Sequence, residues 1–239
     1  LSTAGQAKRS IPLWRAAAGL ATKRMALKEA ISHLDNAMKD AETLEPCLAR
    51  DRIELDLQAS LGTVYMLAKG WAAPEVEHAY ARANELSASV TDPEDAVRTL
   101  WGICVFHLVR GEIGHARGIG VRIMDLANSS GSRRAKLVAH MLDVQLSMYS
   151  GDFTNAQAHA TVAEQLYSRE DDQSLINHFS TDLYLTVRLH AAHVLWIRGF
   201  PDQSNALGVQ NVEIARSLNH PYSLSWALTW GAINPIDRD

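Results

Sequence analysis

The chain has 239 residues, of which 47% are hydrophobic and 21% charged, and its formal net charge is -4. This composition excludes extended disorder, and the small negative charge gives no electrostatic reason to expect nucleic acid or an anionic membrane as a partner. The sequence has no run of about 18 apolar residues and no signal-peptide pattern, so we expect a cytoplasmic location without membrane insertion. Cys47 and Cys104 fit free thiols better than a disulfide.

The N-terminal region predicts a first helical hairpin. Ser10 is expected to cap a helix with Pro12 in its first turn, where the missing N–H of proline costs nothing. A break near residues 23–26 separates this helix from a second one, which carries Ala30 and Ala37 on one face. The pattern is typical of two packed antiparallel helices.

Residues 56–86 predict a second hairpin more clearly than any other stretch. Gly62 is the small residue of its first helix, where a neighbouring helix could approach closely. A turn over 69–73 follows, and Pro74 suits the first turn of the second helix. That helix has an apolar stripe at three- and four-residue steps: Val76, Tyr80, Ala83 and Leu86.

Three further hairpins follow along the chain. The third begins at the capping pair Asp92-Pro93 and turns at Gly111, and the fourth begins at Ser132. The fifth covers residues 188–211, and residues 222–230 predict one more terminal helix. No segment predicts a strand, because the β-rich runs keep helical periodicity.

The second helices share one buried, mostly small position. Aligning it gives Ala30, Val76, Ala116, Ala156 and Ser204, at separations of 46, 40, 40 and 48 residues. This spacing exceeds the roughly 34 residues of a plain tetratricopeptide (TPR) repeat. The sequence therefore predicts an all-α, TPR-like helical-hairpin superhelix of about five hairpins plus a terminal helix, forming a single domain over 1–239.

The sequence offers no convincing catalytic or metal-binding motif. It has no phosphate-binding loop, and its serines, histidines and aspartates show no nucleophile elbow. His190 and His193 share one helix face but have no evident third ligand, and residues 170–172 are interpreted as a solvated acidic helix end. We therefore expect no enzyme activity, cofactor or metal site in this segment.

A curved array of hairpins offers a concave surface lined by the first helix of each pair. In this register the candidate partner-binding residues are Arg98, Trp101, Gln145, Tyr149, His193 and Trp196. Aromatic and arginine side chains often anchor a partner. The competing interpretation is that Trp101 and Trp196 fill the core between hairpins.

Five segments carry a family resemblance: EAISHLDNAM (29–38), residues 54–86 with KGWAAPEVEHAYARA, LWGICVFHLVRGEIGHAR (100–117), AHMLDVQLSMYSGDF (139–153), and GFPDQS with HPYSLSWAL (199–204 and 220–228). They resemble the TPR-like C-terminal region of large bacterial ATPases of the AAA/STAND type. In that family the ATPase module is linked to a class III adenylate or guanylate cyclase domain or to a winged-helix DNA-binding domain.

The resemblance implies a non-catalytic interaction and regulatory domain of a cytoplasmic bacterial signalling ATPase, with cyclic-nucleotide synthesis or transcription regulation as its output. We expect the chain to be a fragment of this larger protein. Its partner would be a protein, a peptide or an adjacent domain, with homo-oligomers possible in addition and no nucleic acid bound by this segment. Two alternatives stay open: a stand-alone adaptor or oligomerisation scaffold, and a helical repeat that senses a small molecule.

Overall fold

A computed structural model describes residues 3–87, 92–179 and 181–233, and all regular structure in these ranges is helical. The helices are α1 (Thr3–Lys23), α2 (Leu27–Glu42), α3 (Leu48–Lys69), α4 (Pro74–Ser87), α5 (Pro93–Val109), α6 (Ile113–Ser130), α7 (Arg133–Tyr149), α8 (Phe153–Leu166), α9 (Arg169–Asp172), α10 (Ile176–Phe179), α11 (Leu183–Ile197), α12 (Pro201–Ser217) and α13 (Pro221–Ile233). A 3-10 turn, Gln173–Leu175, joins α9 to α10.

The pairing of the helices confirms the predicted fold class. Five hairpins follow one another as α1/α2, α3/α4, α5/α6, α7/α8 and α11/α12, and α13 is the terminal helix. Two of these hairpins begin with the helix caps that the sequence predicts. The Asp92 carboxylate accepts hydrogen bonds from the backbone N–H groups of Glu94 and Asp95, and the Ser132 hydroxyl accepts one from Ala135.

Three of the turns inside the hairpins are built on a glycine with the same backbone geometry. Gly111 and Gly151 adopt φ of 76° and 78°, the left-handed region that favours glycine. Beyond each glycine, a backbone N–H reaches back to the helix: Glu112 donates to the His107 carbonyl at 2.9 Å, and Asp152 to that of Ser147 at 2.8 Å. At the third, Gly199 has φ of 86° and the Phe200 N–H donates to the Leu195 carbonyl at 2.9 Å. These bonds satisfy carbonyl groups that the helix end leaves open.

The predicted start of the first helix is wrong. Helix α1 begins at Thr3, and Pro12 lies inside it. Ser10 is not a cap: its hydroxyl lies within hydrogen-bond distance of the Gln6 carbonyl and contacts Asp40 on α2. The residues before Ser10 extend the helix because they include good helix formers, which offset the local cost of a proline inside a helix.

The aligned crossing positions are all inside the protein. Ala30, Val76, Ala116, Ala156 and Ser204 are each 0% exposed. Two of these residues also contact the facing helix through polar groups, since the Cys104 thiol donates to the Ala116 carbonyl and the Ser204 hydroxyl donates to the Ala192 carbonyl. The repeat alignment therefore identified buried positions on the second helices.

The chain divides into two compact units, Leu1–Ile119 (unit 1) and Gly120–Asp239 (unit 2), with the boundary inside α6. The expectation of a single domain over 1–239 stays a prediction.

In unit 1, Tyr80 is fully buried and lies beside Gly62 of α3 and Gly102 of α5, and its hydroxyl is 3.2 Å from that of Thr63. Burial raises the pKa of Tyr80 to about 12.

In unit 2, the interpretation of residues 170–172 as a solvated acidic end is wrong for Asp172. This side chain is 1% exposed, and its carboxylate accepts two hydrogen bonds from Arg133, at 2.6 and 2.8 Å, and one from the Ser168 N–H. Burial opposes ionisation, but these hydrogen bonds outweigh it, so the pKa of Asp172 lies below its usual value. The pair holds the short helix α9 against α7.

None of the described helices is long and apolar enough to cross a membrane.

Candidate functional site

The six candidate partner-binding residues all lie on the first helices of their hairpins, but in two different units. Arg98 and Trp101 are on α5 in unit 1; Gln145 and Tyr149 are on α7, and His193 and Trp196 on α11, in unit 2. Their role in binding stays a prediction. Their surroundings in the fold differ strongly, and each unit is described by itself.

Arg98 belongs to an ion-pair network between first helices in unit 1. Its guanidinium is 3.0 Å from Asp56 of α3 and 3.3 Å from Asp95 of its own helix, and Asp56 also pairs with Arg15 of α1. The Arg98 side chain is only 9% exposed. A charge this buried is stable because it is paired, so Arg98 connects the hairpins of unit 1.

Trp101 is a core residue. It is 2% exposed, and its ring packs edge-on against Trp71, with the ring centroids 6.2 Å apart. This contact also accounts for Trp71, which lies in the KGWAAP turn between α3 and α4. An open depression of about 770 Å³ lies beside this turn, and its rim carries the ion pair of Lys69 with Glu75.

In unit 2, Gln145 lies against a buried histidine. The Nδ1–H of His190 donates to the Thr186 carbonyl at 2.7 Å, which leaves Nε2 to accept from the Gln145 amide at 3.5 Å. Burial lowers the pKa of His190 to about 4, although the hydrogen bond to Thr186 opposes the shift. The Gln145 Oε1 is buried without a hydrogen-bond partner among the described residues.

Aromatic rings surround this histidine on the α11 and α13 side of unit 2. The Trp230 ring centroid is 4.7 Å from that of His190 and 5.4 Å from that of His193, and Trp226 also approaches His190, at 6.0 Å. Both tryptophans are half-buried. The rings pack among themselves and still present part of their surface to solvent.

The remaining two candidates lie at the C-terminal ends of their helices and are accessible. Tyr149, the last residue of α7, is 53% exposed. Trp196 is half-buried near the end of α11. Although Tyr149 is exposed, partial burial of its phenol group raises the pKa of Tyr149. The Tyr149 hydroxyl is therefore neutral at physiological pH and can donate a hydrogen bond.

A second, smaller cavity of about 340 Å³ lies in unit 2 between α8, α11 and α12. The rings of Tyr167 and Tyr184 stack there with centroids 5.0 Å apart, and the Tyr167 hydroxyl donates to Asp182 at 3.0 Å. Asp182 also caps α11 by accepting from the Leu185 N–H. These polar groups already hold the Tyr167 side chain and the start of α11 in place.

The histidine pair considered from the sequence does not form a metal site. His190 is buried, and its ring nitrogens face Thr186 and Gln145. Among the described residues, one group brings three possible metal-binding side chains close together: His107, Glu112 and His115. Sequence reasoning missed it because these residues lie on both sides of a turn, so their spacing matches no single-helix pattern.

Comparison with known proteins identifies the fold. No protein-family model matches the chain, and no curated protein matches it. The chain is similar to the crystal structure of NprR in complex with its cognate peptide NprX, with a TM-score of 0.72 and 13% sequence identity over 93% of this chain. The chain spans 60% of the length of that NprR chain. This similarity establishes the TPR-like helical-repeat fold.

Proposed function

We propose that this chain is a non-catalytic TPR-like domain that binds a peptide or protein segment and regulates an output module of the same polypeptide. The observation that carries the proposal is a set of partly exposed aromatic side chains in unit 2, called the aromatic surface below. His193, Trp226 and Trp230 pack against one another, and Tyr149 and Trp196 lie near the C-terminal ends of α7 and α11. The aromatic surface lies on α7, α11 and α13, none of which is the second helix of a hairpin.

This surface has the chemistry of a peptide-binding site. Tyrosine and tryptophan bury large areas at low entropic cost and are enriched among residues that dominate binding. Here they are partly exposed beside groups that can exchange hydrogen bonds with a peptide backbone, including the imidazole of His193 and the phenol of Tyr149. A peptide bound to this surface would bury the exposed area of the aromatic rings. Its backbone N–H and C=O groups could at the same time form hydrogen bonds with the polar groups beside them.

The structural comparison supports a peptide as the partner. NprR, the similar solved structure, is recorded with its cognate peptide bound. The low sequence identity transfers no contact residues, so the proposal for this chain rests on its own aromatic surface.

The first test selects peptides from a random displayed library on the 239-residue chain and measures their affinity by calorimetry. Tyr149→Ala and Trp196→Ala are each expected to weaken binding of a selected peptide by at least about tenfold, because loss of an anchor costs about 2 kcal/mol or more and about 1.4 kcal/mol corresponds to tenfold. Val209→Ala is the matched control. Val209 is 64% exposed on α12, a second helix, and its removal is expected to leave affinity unchanged.

Two outcomes would contradict the peptide-binding proposal. One is a selection that enriches no peptide above the background of an unrelated helical protein. The other is a set of peptides whose affinity is the same for the wild type, both aromatic variants and the Val209 variant.

We further propose that the regulated module is a signalling ATPase linked to a nucleotide cyclase or a winged-helix domain. Support comes from the family resemblance of the five segments, above all KGWAAPEVEHAYARA. The coding sequence on the N-terminal side of Leu1 provides the test. A phosphate-binding loop of the form GxxxxGK[ST] is expected there, and its absence would refute the ATPase context while leaving peptide binding open.

A further inference from the structure

Three metal-binding side chains meet at the turn between α5 and α6 in unit 1. His107 lies in the last turn of α5, Glu112 immediately precedes α6, and His115 lies in the first turn of α6. From their juxtaposition we propose that His107, Glu112 and His115 form a binding site for a divalent transition-metal ion such as Zn²⁺. This site is separate from the aromatic surface of unit 2 and does not depend on the proposed function.

The donor atoms are already close to the arrangement that a metal requires. One donor atom from each residue lies within 4.8 Å of those of the other two, and Nδ1 of His107 is 2.6 Å from Oε2 of Glu112. Ligands bound to zinc at about 2.0–2.2 Å are separated by roughly 3.3 Å in a tetrahedral site. Closing the site therefore requires a movement of about 1–2 Å, which the exposed side chain of His115 can supply by changing rotamer.

The backbone holds the donors together without the ion. Gly111, in the left-handed conformation, reverses the chain, and the Glu112 N–H donates to the His107 carbonyl. The Ala116 N–H then donates to the Glu112 carbonyl at 3.1 Å, which begins α6. Glu112 and His115 are three residues apart at this helix start and so face the same side.

Arg110 orients the carboxylate. Its Nε donates to Oε1 of Glu112 at 2.9 Å, which leaves Oε2 directed at His107. The positive charge of Arg110 opposes a cation, and we therefore expect micromolar rather than tighter affinity.

Nδ1 of His107 would bind the ion through its lone pair, in the tautomer whose proton is on Nε2. Two imidazoles and one carboxylate suit zinc, and a water molecule or a partner's side chain would complete four-coordination.

Calorimetric titration of ZnCl₂ into the 239-residue chain tests the site. The expected result is one ion per chain for the wild type, and an affinity at least about tenfold weaker for His115→Ala. Because His115 is exposed, this variant should melt at the wild-type temperature. His78→Ala is the matched control: His78 is exposed on α4, and its removal should leave zinc binding unchanged.

Glu112→Gln keeps the size of the side chain and separates a built site from adventitious binding. It removes the charge of the carboxylate, so zinc affinity should fall at least about tenfold. Co²⁺, added as a spectroscopic probe, should give the visible absorption of a four-coordinate ion in the wild type only. The proposal would be overturned by the absence of zinc binding, or by binding that persists equally in His115→Ala and Glu112→Gln.

Discussion

Tyr80 fills space that two glycines leave open. A Cβ atom built on Gly62 would lie 2.5 Å from the Tyr80 ring, and one on Gly102 would lie closer still. Gly102→Ala is therefore expected to lower the free energy of unfolding by about 1–3 kcal/mol, measured by urea denaturation, because the buried ring has no room to move.

Gly118→Ala is the control for that substitution. Gly118 lies within α6 and has no atom within 4 Å of a Cβ built on it, so alanine should stabilise the helix by about 0.5–1 kcal/mol. Equal effects at the two positions would contradict the packing interpretation of Tyr80.

His190 makes stability depend on pH. Its pKa is about 4 in the folded protein, against 6.5 for an ordinary histidine, so the unfolded chain binds more protons between these values. The stabilisation is complete above pH 6.5 and is lost as the pH falls towards 4. Between pH 7 and pH 5 we expect a loss of roughly 2 kcal/mol from this group.

Urea denaturation at both pH values measures this loss, and His190→Gln should make it clearly smaller. His140 has a pKa lowered by burial and by His159, so part of the dependence will remain in the variant. His78→Gln, at an exposed site, should retain the whole dependence. A pH profile that is unchanged by His190→Gln would show that this imidazole is not kept neutral by burial.

Some residue-scale features could not be read from the sequence. The pairing of Arg133 with Asp172 joins groups 39 positions apart, and no local pattern distinguishes Asp172 from its solvated neighbour Asp171. Likewise, no local pattern indicates the ion pair of Arg98 with Asp56, which lies 42 positions away. Burial of a charged group depends on such distant partners, which only the folded chain specifies.

At the scale of elements, the sequence was more informative. Asp92-Pro93, Pro74 and Ser132 each predicted a helix start, because capping and the missing N–H of proline act within one turn. The short helices between residues 169 and 179 were missed, since segments of four residues are too short to show periodicity.

The crossing of α7 and α8 gives a prediction at this scale. Ala156 is fully buried at that contact, so Ala156→Leu should lower the free energy of unfolding by about 1–3 kcal/mol, measured by thermal melting with urea denaturation. Ala158→Leu on the same helix faces solvent and should change stability by less than about 0.5 kcal/mol. A melt of Ala156→Leu identical to wild type would refute the assigned contact.

At the scale of the whole molecule, the repeat period predicted the number of hairpins but not where compact units would divide. Each hairpin repeats the same pattern of large and small residues, so the recurrence of this pattern along the sequence indicates an array of hairpins. The boundary at residues 119 and 120 falls inside the continuous helix α6, so no linker marks it, although Gly118 and Gly120 lie beside it. Contacts between elements define the two units, and these contacts are not a local property of the sequence.

The two glycines around Tyr80 also restrict how this protein can change by recombination. Tyr80 belongs to the second hairpin and Gly102 to the third, and both complete one three-part fit with Gly62. Inserting or deleting a hairpin between α4 and α5 would separate the Tyr80 ring from the space beside Gly102 that it fills. We therefore expect the hairpins α3/α4 and α5/α6 to be exchanged together, whereas a pair of hairpins without such a shared residue would tolerate exchange of single hairpins.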